Sequence, residues 1–148
     1  ELEAAYRPLA AYGRSKLALM AYTLELNRRL RQRGSKIIAV SAHPGFAPTD
    51  TAKRHAEARS KSAFARWMRK RAEGWLPTVA QAAAPILHAA CAEGVHGGEY
   101  YGPGGWFEIA GAPRKARING QALDAELAVQ LWSAAEAITG VRYFSSNQ

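Results

Sequence analysis

Tyr12 and Lys16 stand four residues apart in the segment Tyr12-Gly13-Arg14-Ser15-Lys16. On a helix that spacing puts the phenol and the ammonium on one face. A free tyrosine gives up its proton only at about pH 10. A neighbouring cation favours the phenolate and brings such a group toward the range where it exchanges a proton with an alcohol or carbonyl oxygen. The pair is therefore a candidate acid/base couple. Both residue types are common, so the spacing alone does not separate a catalytic pair from a surface one, and the flanking elements have to decide.

Those elements read as alternating helix and strand. Residues 11–33 form a long amphipathic pattern, with Leu17, Met20 and Leu24 on one line and Leu19, Leu26 and Leu30 on a second, which predicts one helix with contacts on two sides. Arg28, Arg29, Arg31 and Arg33 crowd its end, where cations suit the helix dipole, and Gly34 supplies the stop. The run Lys36-Ile37-Ile38-Ala39-Val40-Ser41-Ala42 predicts a strand buried on both faces, ended by His43-Pro44-Gly45. Helix followed directly by buried strand implies an α/β sheet of the doubly wound kind, in which ligands bind beyond the carboxyl ends of the strands.

Further along, Phe64, Trp67 and Met68 predict a short helix over 62–71 inside a polar segment, 50–76, that reads as a lid. A helix over 78–93 follows, with Thr78 as cap, Val79, Ala83, Ile86 and Leu87 as its apolar stripe, Pro85 as a kink and Gly94 as its end. Glu99-Tyr100-Tyr101 reads as a short strand between glycine turns. Residues 122–138 read as a terminal helix carrying Leu123, Leu127, Leu131 and Trp132.

Composition narrows the class. The 148 residues are 48% hydrophobic and 22% charged, which is the make-up of a globular domain able to bury a core. No apolar run reaches the roughly 18 residues a membrane-spanning helix needs. Cys91 lies in an apolar stretch and is expected to be a small buried residue in a reduced, cytoplasmic compartment. His43, His55, His88 and His96 show no ligand spacing, so no metal is expected. The net charge of +8 resides almost wholly in residues 53–71, where eight basic residues face the single acid Glu57. Such a block is a solvated helix face or a docking surface for an anion such as nucleic acid or lipid.

Taken in order, the segment 11–30 with Tyr12, Ser15 and Lys16, the turn His43-Pro44-Gly45-Phe46-Ala47-Pro48-Thr49 and the stretch Gly97-Gly98-Glu99-Tyr100-Tyr101-Gly102-Pro103 resemble the C-terminal half of the short-chain dehydrogenase/reductase family. The likeness is nearest to the branch of retinol dehydrogenases and WW-domain oxidoreductases. It implies the C-terminal half of a Rossmann-type parallel sheet with flanking helices, with 1–148 as a partial domain and 50–76 as a basic substrate lid. Tyr12 and Lys16 would be catalytic. Tyr12, Lys16, Pro44, Gly45 and Thr49 would contact NAD or NADP, with Lys16 favouring the phenolate and bonding the nicotinamide ribose. The substrate would be a small alcohol or carbonyl compound, and the protein a homo-oligomer without a nucleic-acid partner. The family's glycine-rich phosphate turn, catalytic serine and asparagine would all precede Glu1. A truncated chain of weak or no activity is therefore expected, unless another polypeptide supplies the rest. The rival expectation is a non-enzymatic fragment that binds an anionic partner through 53–71.

Overall fold

A computed structural model of the chain describes residues 6–45 and 77–144. The predicted helix over 62–71, the basic block 53–71, the lid at 50–76 and Thr49 lie outside the described residues. The chain divides into two compact units. One comprises Glu1–Ser41, His96–Gly98 and Arg117–Gln148, and the other Ala42–Val95 and Glu99–Ala116.

Helix α1, Pro8–Gln32, organises the first unit. It begins three residues earlier than the apolar periodicity predicts. Pro8 occupies the first turn, where its fixed φ suits the helix and its missing N–H would have been unpaired anyway. At the other end Gly34 takes φ +64 and donates to the Arg31 carbonyl at 3.0 Å, while Ser35 donates to the Leu30 carbonyl at 3.1 Å. This pair of bonds is a Schellman closure, and only a residue at ease with positive φ fits it without strain. The line Leu17, Met20 and Leu24 packs against a core of Ala21, Ala122 and Ala128. On the second line Leu30 is buried, whereas Leu19 is 60% exposed.

Ala128 belongs to the terminal helix, α3, Ala125–Thr139, which packs on α1. Asp124 caps it by accepting from the Glu126 and Leu127 amides at 3.0 Å each. That cap splits the single helix predicted over 122–138 into a short 3₁₀ turn, Gly120–Leu123, and α3 proper. Trp132 is 1% exposed. Its ring stacks on Tyr22 at 4.6 Å, carries the Arg29 guanidinium 4.5 Å from its centroid, and donates its N–H to Glu136 at 2.8 Å. Arg29 and Arg28 both donate to the buried carboxylate of Glu25 at 2.6 Å. The hydrogen bond from Arg28, foremost, holds that carboxyl below its usual range against the opposing effect of burial.

The strand predicted over 36–42 is regular only at β1, Ser41–Ala42. Ile37 and Ile38 are 68% and 46% exposed, so burial on both faces is not met. The described residues provide this stretch with point contacts in place of a ladder: the Ala39 amide donates to Asn27 Oδ1 at 3.3 Å, and its carbonyl accepts from Gly98 at 2.8 Å.

In the second unit, α2, Val79–Cys91, starts at a capping box in which Thr78 and Gln81 exchange bonds of 3.2 and 2.8 Å. Its buried face is Ala82 and Pro85. The predicted stripe is not the buried one, since Val79, Ile86 and Leu87 are 75%, 48% and 61% exposed. Small residues let the helix lie close to the short strand β2, Tyr100–Pro103, and no described element covers the larger ones. Cys91, expected to be buried, is exposed at the end of this helix.

The three strands form one sheet in the order β1-β2-β3, with β1 parallel to β2, and the chain is α/β as predicted. Strand β3, Pro113–Lys115, adds an antiparallel edge in the register Tyr101 to Lys115, Gly102 to Arg114 and Pro103 to Pro113.

Tyr101 is buried in this sheet, its hydroxyl donating to the Glu99 carboxylate, which also pairs with Lys115. The bond to Glu99, with burial second, pushes the phenol up to about 12 from its ordinary 10.0. The folded state thus holds this proton more tightly than the unfolded chain. Its contribution to stability is intact below pH 10 and is lost as pH rises through about 12. Tyr101→Phe is expected to flatten that alkaline loss, read as the urea midpoint against pH by circular dichroism. An unchanged slope would contradict the Glu99 contact.

Candidate active site

Tyr12 and Lys16 lie in the N-terminal half of α1, on one face, with the Lys16 ammonium 5.3 Å from the centroid of the Tyr12 ring. The phenol is 63% exposed, so its hydroxyl is accessible to a small molecule. Ser15 turns its hydroxyl back onto the Tyr12 carbonyl at 2.8 Å, a local helix bond that leaves the Tyr12 side chain free of it. Glycine at position 13 has no atom within 4 Å of where a Cβ would sit, so it is not there for want of space.

Pro44 and Gly45 belong to the second unit. Gly45 has φ +71, and a Cβ on it would collide with the carbonyls of Glu108 and Ile109 and with Pro103. Both conformation and space require glycine there. Its amide donates to His43 Nδ1 at 3.2 Å. The other ring nitrogen, Nε2, is buried and stands 3.1 Å from Glu108 Oε2 without making a hydrogen bond. Glu108 lies in a 3₁₀ turn, Trp106–Glu108, in which Phe107 and Glu108 both take positive φ, 50 and 55. His43, Gly45, Phe107, Glu108 and Ile109 line an open cleft of about 280 Å³.

Of the five residues singled out in the sequence, Tyr12 and Lys16 thus meet on α1, Pro44 and Gly45 form one turn of the second unit, and Thr49 lies outside the described residues. Sequence reasoning missed Glu108, which no motif marks, and read His43 only as part of the turn that ends the strand. The signal available for His43 was its place two residues before a glycine, where a side-chain acceptor can close a turn. Among the described residues no three His, Cys, Asp or Glu side chains cluster to hold a metal. No described helix is long and apolar enough to cross a membrane.

No family model matches the chain. Over 140 residues, 92% of its length, it is 36% identical to polyprenol dehydrogenase of Mus musculus, of which it covers 37%. Over 90 residues, 61% of its length, it is 38% identical to retinol dehydrogenase 11 of Homo sapiens, of which it covers 26%. A crystal structure of an uncharacterised protein from Mycobacterium paratuberculosis matches 95% of the chain with a TM-score of 0.66 at 29% identity, and 42% of that protein is covered. The chain therefore spans well under half the length of the proteins it matches. Both dehydrogenases are members of one family, and the chain is a relative of these short-chain dehydrogenases/reductases.

Proposed function

We propose that the chain carries the proton-transferring part of an NAD- or NADP-dependent oxidoreductase that interconverts an alcohol and a carbonyl compound. The observation that carries this reading is the contact of Lys16 with Tyr12 on one face of α1, in a chain related to dehydrogenases. The dinucleotide supplies and accepts the hydride. The Tyr12 hydroxyl gives a proton to the substrate oxygen during reduction and takes it back during oxidation. Lys16, as a cation on the same face, would stabilise negative charge on the phenol oxygen and would hold the ribose of a bound dinucleotide. Gly45 is proposed to contact the dinucleotide through its backbone, in a turn whose shape is fixed by its φ of +71 and by the Glu108 and Ile109 carbonyls packed against it.

The phosphate-anchoring turn of such a site is proposed to belong to the part of the relatives' length that the chain does not match. On that reading the isolated chain binds dinucleotide weakly. The names of the two relatives make polyprenols and retinoids the first substrates to try, beside a panel of simpler alcohols, aldehydes and ketones.

The test is dinucleotide-dependent absorbance change, with the chain alone and with it joined to the upstream half of a relative. Activity restored by the joined protein supports the proposal; robust turnover by the chain alone would contradict the division of labour. In the joined protein Lys16→Ala is expected to weaken dinucleotide affinity and turnover together. Each should fall about tenfold to hundredfold, the effect of a charge-assisted hydrogen bond of about 1.5–3 kcal/mol. A loss confined to one parameter would deny Lys16 its double role.

A further inference from the structure

We infer that His43 is a positioning residue for the Pro44–Gly45 turn, accepting the Gly45 N–H at Nδ1 and bracing the turn against Glu108. The inference deepens the proposed dinucleotide site and rests on that reading.

The geometry constrains the ring from several sides. Nδ1 accepts the Gly45 amide at 3.2 Å, so in this arrangement the ring proton belongs on Nε2. Nε2 in turn is buried and faces the Glu108 carboxylate at 3.1 Å. At the Nε2 corner of the ring lies Gly102, where any Cβ would strike the imidazole. Beside it stands Tyr100, with ring centroids 5.1 Å apart. A ring so wedged points Nδ1 at one place. Position 43 to position 45 is also the reach over which an asparagine or aspartate oxygen closes a side-chain turn on the amide two residues on, and His43 does the same through a nitrogen.

The opposite wall of the turn is equally specified. The Glu108 and Ile109 carbonyls fill the space above the Gly45 Cα. Glu108 reaches that place only because it and Phe107 hold left-handed backbone conformations without being glycine, at a cost of about 1–3 kcal/mol each. Strained backbone of this kind persists where surrounding contacts impose it, and here it delivers both a carboxylate and a carbonyl to one two-residue turn. His43 thus acts on the proposed site through the backbone of Gly45, and not by touching the reacting groups.

The experiment compares His43→Asn with His43→Leu in the dinucleotide-binding protein, the chain joined to an upstream half. Asparagine keeps an acceptor for the Gly45 amide; leucine removes it and fills similar space. His43→Leu is expected to raise the dinucleotide Kd about three- to tenfold, the worth of one hydrogen bond, while His43→Asn stays within about twofold of the parent. A role in packing alone reverses that order, since asparagine leaves the larger gap beside Tyr100 and Gly102. Equal effects of the two variants, or none from leucine, would overturn the inference. If either variant fails to fold, nitrogen chemical shifts of the parent decide: a proton on Nε2 supports the assignment, and a proton on Nδ1 overturns it. Absence of dinucleotide binding by the parent itself would instead remove the reading on which the inference stands.

Discussion

Tyr12→Phe is expected to lower turnover of the dinucleotide-binding protein by about a hundredfold or more, the usual loss when a general acid is removed, with dinucleotide affinity within about twofold of the parent. The substitution is a narrow one. Phenylalanine keeps the aromatic face over which the Lys16 ammonium sits at 5.3 Å, and the side chain is largely exposed, so no core packing is disturbed. What disappears is the hydroxyl, and with it the proton that reaches the substrate oxygen. The loss should fall on kcat and kcat/KM alike, because the missing interaction is made in the transition state. Measured beside Lys16→Ala, which should also weaken dinucleotide binding, the two variants separate proton transfer from cofactor holding. Full turnover in the Tyr12→Phe protein would end the proposed mechanism whatever the relatives do.

Trp132→Ala should be the most destabilising single substitution among the described residues of the first unit, costing about 3–5 kcal/mol. The indole is 1% exposed and holds five partners at once: the Tyr22 ring at 4.6 Å, the Phe144 ring at 5.8 Å, the Tyr143 ring at 6.2 Å, the Arg29 guanidinium at 4.5 Å and the Glu136 carboxylate at 2.8 Å. Removing it leaves a cavity between α1 and α3 and sets free the cation that also bonds the buried Glu25. Trp132→Phe keeps the stacking and forfeits the N–H bond, and should cost about 1 kcal/mol. Urea midpoints at unchanged m read both values. A cost below about 1 kcal/mol for alanine would mean that Tyr22 and Phe144 close over the gap unaided.

Local chemistry made much of this legible in the sequence. The end of α1 was readable because Gly34 is the residue a Schellman closure needs, and the start of α2 because Thr78 stands directly before the helix. The Tyr12–Lys16 pair was readable because helical spacing alone brings four-apart side chains together. Periodicity marks faces, however, without saying what covers them. The stripe Val79, Ile86 and Leu87 is a real helix face, yet Ala82 and Pro85 meet the sheet, because close approach to β2 favours small side chains. Strand β3 was invisible for a similar reason. Pro113-Arg114-Lys115 has no strand character of its own and is extended only because β2 pairs with it. Glu108 could not be found at all, since its approach to His43 depends on two positive φ values that nothing in Trp106-Phe107-Glu108 announces.

The close approach of Gly102 to the His43 imidazole also limits how this region can diverge. The space that a side chain at 102 would need is already taken by the ring at 43, and Gly102 sits within a strand, where glycine otherwise weakens pairing. The two positions therefore share one volume. A protein that gains bulk at 102 has to give up the imidazole, and with it the bond to Gly45, so these two sites are free to drift only as a matched pair.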